Sequence, residues 1–306
     1  MKLNEKIKRR TSGILLYGLT PPKKKTEHEK VLRIAEKQIN SVKSIGVDGL
    51  VLYDIHDEKD RVAEERPFPF LETIDPLVYS RDFLSSLGVP RIVYRCVGKY
   101  KPDQIKSWIH SRERQEHFTV FVGAASQHQK VSLKLSDAYD IFEPQDNQLL
   151  LGGVCIPERH IDQHNEHLRM IRKQEQGCDY FISQAVYNVE AAKNFLSDYY
   201  FYCTEQNIDM VPIIFTISPC GSKKTLDFMK WLGINVSKWL ENDILKSEDP
   251  LKKSVEVLIE TFETLWDFAK KKNIPIGCNV ESISIRKSEI EASIEMAKAI
   301  KSIMAG

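Results

Sequence analysis

A primary amide closes the apolar run in DYFISQAVYNVEAAKNFL, where Tyr180 to Ile182 lead into Gln184 and then Tyr187 and Asn188. An amide carries two N–H donors and one carbonyl acceptor, so Gln184 could read a ring carbonyl and a ring amino group of a heterocycle together. The same side chain could equally serve as a structural amide for neighbouring backbone. Further polar residues stand where other apolar runs end: Tyr53, Asp54 and His56; Arg95; Ser126; Glu158, Arg159 and His160; Thr216, Ser218, Ser222 and Thr225; Glu281 and Ser282. The carboxylates of Asp54 and Glu281 could accept a pair of parallel N–H donors, as they would from a guanidinium. They could instead be satisfied by Arg95 or by backbone donors. His160, His164 and His167 suggest metal ligation, but seven residues of one continuous helix span about 10 Å, too far for a single ion. No metal is expected. Lys23, Lys24 and Lys25 form either a solvated run or a seat for a polyanionic tail.

The elements that must position these groups are legible. Apolar runs of strand length cover 13–19, 49–55, 91–97, 118–124, 149–156, 179–186, 211–218 and 277–284. Most are apolar on both faces, as parallel strands covered by helices must be. A helical pattern follows each. Thr26 and Glu29 have capping-box spacing, and Gly46 sits where the following helix should stop. Ile161, Leu168 and Ile171 fit one face of another helix, and long amphipathic patterns cover 251–271 and 290–303. The class is therefore α/β, and eight unbroken strand–helix units predict a (β/α)8 barrel forming one domain over residues 1–306. No Gly-x-Gly-x-x-Gly follows the first strand, which disfavours a doubly wound sheet. In a barrel the strand C-termini surround the active site, and there the polar residues fall. Two long connections, 57–80 and 217–239, open on that face.

With 28% charged residues and a net charge of +1, the chain has no global attraction for nucleic acid or membrane. No apolar run is long enough to span a bilayer. The start MKLNEKIKRR lacks the apolar centre of a signal peptide. Residues 1–12 are expected to form a basic, solvated extension, and the protein to be cytoplasmic. Its six cysteines contain no CxxC pair and suit reduced, buried thiols.

Several segments, in order, resemble the methylenetetrahydrofolate reductase family. ISQAVYNVEAAKNFL resembles its strand ending in Gln followed by an aromatic segment and Asp/Asn-Val-Glu. GGVCIPERH resembles its Pro-Glu-x-His turn, and KQEQGCDYFISQ the approach to that Gln. VPIIFTISPCGSKKTLDFMKWLGINVSKWL resembles its Val-Pro…Pro segment with the following helix, and LYDIHDEKDR its Tyr-Gly…Arg segment. The resemblance spans roughly residues 13–290 and implies a TIM barrel that binds methyl- or methylene-tetrahydrofolate at its C-terminal face. It implies a pterin contact at Gln184 and a folate-holding loop over 219–225, which carries Ser222 and Thr225. Further candidate folate contacts at the strand mouths are Tyr187, Asn188, Tyr53 and Ser218, with Glu281 and Asp54 as carboxylates that could pair with the pterin. FAD, the family's cofactor, would if bound meet Arg95, His160, Arg172 and Lys173.

The departures bear on chemistry. In LYGLTPP, Gly18 stands where the family has its acidic Glu. In VFVGAAS, Ala124 stands where it has an Asp beside the pterin, and VYRC replaces its His-x-Thr-Cys. Losing a general acid lowers a rate by about 10²–10⁴. The expectation is a reduced-folate-binding protein of one-carbon metabolism in which ordinary flavin-dependent reduction is impaired. The alternatives are an active divergent reductase with relocated acid groups and a pterin-dependent methyltransferase. A homo-oligomer or a partner protein remains open in all three.

Overall fold

The structure, a computed structural model, describes residues 1–57, 64–111, 117–124, 129–142 and 149–306. Eight parallel strands close in sequence order into a barrel. They are β1 (Ile14–Leu19), β2 (Gly49–Leu52), β3 (Arg91–Cys96), β4 (Phe118–Val122), β5 (Leu150–Cys155), β6 (Cys178–Ala185), β7 (Ile213–Ile217) and β8 (Ile276–Glu281). Every apolar run expected to be a strand is one. The helices are α1 (Leu3–Lys8), α2 (His28–Ile45), α3 (Pro76–Phe83), α4 (Pro102–Ile109), α5 (Leu135–Ile141), α6 (Arg159–Gln163), α7 (Glu166–Glu175), α8 (Val189–Gln206), α9 (Lys223–Trp231), α10 (Lys238–Lys246), α11 (Pro250–Lys271) and α12 (Lys287–Ala305). None is long and apolar enough to cross a membrane among the described residues.

Period-two alternation splits each strand between two cores. One set of side chains fills the barrel: Ile14, Leu16, Val51, Ile92, Tyr94, Val120, Tyr180, Ile182 and Ile214 pack together. The other set, including Leu15, Leu50, Leu52 and Cys278, packs outward under the helices. The parity of a residue therefore decides whether it can reach the barrel mouth.

Three local expectations are corrected. Residues 1–12 are not a solvated arm. Leu3 and Ile7 of α1 are buried and join the interior cluster at the barrel base, while Lys6 pairs with Asp48 at 2.8 Å. The Leu-x-x-x-Ile spacing puts both apolar side chains on one face of even a short helix. Thr26 does not cap α2, whose N-cap is Glu27 without a side-chain bond. Gly46 does end that helix, at φ 68°, where only glycine is unstrained. The helix expected around Ile161 is broken: α6 stops at His164 in the left-handed region, and Ile161 is exposed.

Candidate functional site at the barrel mouth

The mouth is built by strand parity. Gln184 shares a face with Tyr180 and Ile182, and Glu281 shares one with Asn279, so each points into the barrel. In the parallel register Glu281 lies opposite Gly18. Tyr53 completes the layer. A Cβ placed on Gly18 would lie 2.9 Å from the Tyr53 ring and hydroxyl and 3.1 Å from Glu281 Cβ. The missing side chain is what lets Tyr53 and Glu281 close over β1.

A hydrogen-bond chain links these groups. Asn279 Nδ2 donates to Tyr53 Oη at 2.9 Å and to Thr216 Oγ1 at 3.1 Å. Tyr53 in turn hydrogen-bonds the Glu281 carboxylate. Asn279 is fully enclosed and its Oδ1 has no partner. Tyr94 lies edge-on to Tyr53, with ring centroids 4.9 Å apart. Burial pushes the Glu281 carboxyl up to about 7, against a smaller lowering by the Tyr53 hydrogen bond. No cation among the described residues offsets it. Burial, and then the charge of Glu281, hold the Tyr53 hydroxyl far above the usual phenol range.

Gln184 is half committed. Its Nε2 donates to the Leu232 carbonyl at 2.7 Å, which ties β6 to the end of α9 and leaves one N–H and the carbonyl oxygen of the amide. The wall beyond it is aromatic. The Arg66 guanidinium lies 5.2 Å from the Phe228 and Trp231 centroids and 5.4 Å from Phe70. Phe68 packs edge-on to Phe228. The long connection after β2 is thus pinned onto α9.

Other expected site residues are placed elsewhere. Asp54 follows Leu52 on the outward face. Its carboxylate is enclosed by Lys99 Nζ, Tyr100 Oη and the Cys96 amide. Arg95 is outward by the same parity and pairs with Asp75 at 3.1 Å, its guanidinium over Tyr100 and Trp108. Tyr187 Oη donates to the Ser218 carbonyl at 2.5 Å, deep in the outer core. Ser218 Oγ accepts from the Ile283 amide. Asn188 caps α8 and Ser222 caps α9. Thr225 is buried and donates to Glu289 at 3.1 Å. Ala124 follows β4, and Ser126 lies outside the described residues. Asn279 and Tyr94 escaped the sequence reading. A lone amide within the apolar run IGCNVE was the available signal for Asn279. Glu158 is a second buried carboxyl near this end, and burial raises it to about 7 against weaker lowering by backbone amides, including that of Tyr187. Neither of its oxygens makes a hydrogen bond of full geometry.

The residues expected to meet a flavin do not form one cradle. Arg95 is held under the helices by Asp75. His160 bonds Asp198 at 2.9 Å in the helical layer. Lys173 donates to the Val154 carbonyl at 2.6 Å, and Arg172 bonds the Leu168 carbonyl of its own helix. These four do not fit the group. A broad groove lined by Lys2, Lys8, Arg91 and His117 opens at the opposite, N-terminal end of the barrel. The strand C-termini, where barrels carry out chemistry, are not there.

A family model described as methylenetetrahydrofolate reductase matches residues 152–272, from β5 into α11. The match omits the strands that carry Gly18 and Ala124. No protein of curated function matches the sequence. A solved structure described as an uncharacterized protein from Clostridium thermocellum that binds two copies of 5-methyl-5,6,7,8-tetrahydrofolic acid is 54% identical, with a TM-score of 0.88 over 98% of this chain and 99% of that one. Dihydropteroate synthase from Xanthomonas albilineans is 10% identical over 96% of this chain and 94% of that chain, at a TM-score of 0.48. The dihydropteroate synthase from Thermus thermophilus is 13% identical over 97% and 92%, at 0.45. Neither adds to the barrel already described. The extended likeness to the clostridial protein, together with the reductase match from β5 through α11, places the chain in the methylenetetrahydrofolate reductase-like family.

Proposed function

We propose that the protein binds a reduced folate, 5-methyltetrahydrofolate, with the pterin ring in the mouth formed by Tyr53, Tyr94, Gln184, Asn279 and Glu281. One observation carries this reading: Glu281 is a half-buried carboxyl at the mouth whose proton affinity burial raises and that no cation among the described residues neutralises. A pterin presents a 2-amino group beside a ring N–H, a donor pair that matches a carboxylate's two oxygens. The unpartnered Asn279 Oδ1 and the remaining amide atoms of Gln184 offer further polar contacts, and the tyrosines an apolar bed for a flat ring. The folate bound by the clostridial relative supports the same ligand class.

A second reading adds chemistry to binding. Glu281 stands across the register from Gly18, and its carboxyl is raised to about 7, so it can hold a proton near neutrality and release it. In this reading Glu281 supplies the proton needed to open a methylene-bridged folate.

Calorimetric titration with 5-methyltetrahydrofolate tests the first reading. Saturable binding is expected, with the stoichiometry read directly. Gln184→Ala and Glu281→Gln should each weaken it by about 10–100-fold, the worth of a charge-assisted or desolvated hydrogen bond. No binding, or unchanged affinity in both variants, overturns the assignment. The second reading requires turnover of 5,10-methylenetetrahydrofolate with a nicotinamide hydride donor. Loss of turnover in Glu281→Gln at saturating folate is its signature.

A further inference from the structure

The break between α6 and α7 creates a cluster that a continuous helix would forbid. His164 takes φ 49° and ψ 26°, and the chain restarts at Glu166. The turn folds His167 back beside His160, with ring centroids 5.3 Å apart. Asp198 of α8 completes the group: one donor atom from each of the three residues lies within 4.8 Å of the others.

A histidine–aspartate pair explains only part of this arrangement. His160 Nε2 and Asp198 Oδ2 are 2.9 Å apart, but His160 Nδ1 and His167 Nδ1 are both buried without a partner. His160 and His167 are 2% and 8% exposed, so bulk solvent does not reach these nitrogens. The walls are aromatic, with Phe195 against His160 and Tyr202 against His167. Asp198 is half-exposed and opens a path to solvent.

We propose that His160, His167 and Asp198 form a binding site for a divalent transition cation of the zinc class, separate from the barrel mouth. Imidazole and carboxylate suit such an ion, and bonds of about 2.0–2.2 Å place tetrahedral ligand atoms roughly 3.3 Å apart. His160 binds through Nε2, whose separation from Asp198 is already close to that value, its Nδ1 taking no part, and rotation of His167 and Asp198 closes the rest. A water fills a further position, or His164 does: it is exposed on the turn, its ring 5.8 Å from that of His160. The ion joins α6, α7 and α8, and so braces the turn that follows β5. Cysteine does not compete, since all six thiols are buried.

Calorimetric titration of the chelator-treated full chain with Zn²⁺ tests the site, with Co²⁺ absorption as a coordination signature. The expected result is one saturable site of micromolar affinity or better and a tetrahedral Co²⁺ spectrum. His167→Ala and Asp198→Asn should each weaken it by about tenfold or more, while His110→Ala, at an exposed histidine elsewhere, leaves it unchanged. Asp198 sits on an exposed helix face, so its variant reads the site even where His167→Ala disturbs folding. Absence of saturable binding, or equal affinity in Asp198→Asn and wild type, overturns the proposal. Affinity for 5-methyltetrahydrofolate should be the same in Asp198→Asn as in wild type, so neither result depends on the folate assignment.

Discussion

The substitution Glu281→Gln removes a charge that the barrel mouth holds without a cation. The folded carboxyl titrates at about 7 against an ordinary 4.5, because burial disfavours the anion. At about 1.4 kcal/mol per tenfold difference in proton affinity, that gap corresponds to at most about 3 kcal/mol, and less as solvent reaches the half-buried group. Below pH 4.5 the carboxyl is protonated in both states and the group has no effect. Between about 4.5 and 7 the folded state keeps its proton while the unfolded state loses it, so stability falls as pH rises. Above about 7 the full penalty is in place. Glu158 titrates in the same window and adds a parallel loss, but it is common to wild type and variant. Thermal unfolding of both proteins at about pH 4.5 and about pH 8 isolates Glu281. The variant should match wild type at the lower pH and melt higher by up to about 6 °C at the upper one, taking roughly 2 °C per kcal/mol for a chain of this size. A separation between the two that is the same at both pH values would refute the reasoning, because the carboxyl would then titrate alike in the folded and unfolded chains.

Two more substitutions probe the frame around the site. Gly18→Ala drives a methyl group to within 2.9 Å of the Tyr53 ring; overpacking of this kind should cost about 1–3 kcal/mol, read as a lowered denaturation midpoint, and should weaken folate binding by displacing Tyr53. Leu3→Ala removes a side chain that is 1% exposed at the barrel base and should cost about 2–5 kcal/mol in the same assay, with folate affinity of the folded protein unchanged.

The barrel was legible because each strand is a short apolar run bounded by polar sequence, and the closed order followed from eight repeats of one unit. Which residues reach the mouth was not. Asp54 and Arg95 end strands that are apolar on both faces, so nothing in the sequence marks inward from outward parity. The structure turns both under the helices, where Lys99, Tyr100 and Asp75 satisfy them. Gln184 and Glu281 have the inward parity. Asn279 was hidden in the opposite way, as one polar letter in a strand otherwise read as core. The histidine cluster depends on a left-handed residue at His164, with no glycine or proline to announce the break.

The position of α1 has a consequence for the order of assembly. Leu3 and Ile7 belong to the interior cluster that strands from β1 to β7 build, and the backbone after the helix bonds β8, through the Gly13 amide and the Ile276 carbonyl. Their seat exists only once strands far apart in the sequence have come together. Docking of the helix that precedes β1 therefore reports, at the end opposite the mouth, that the strands beneath it have come together.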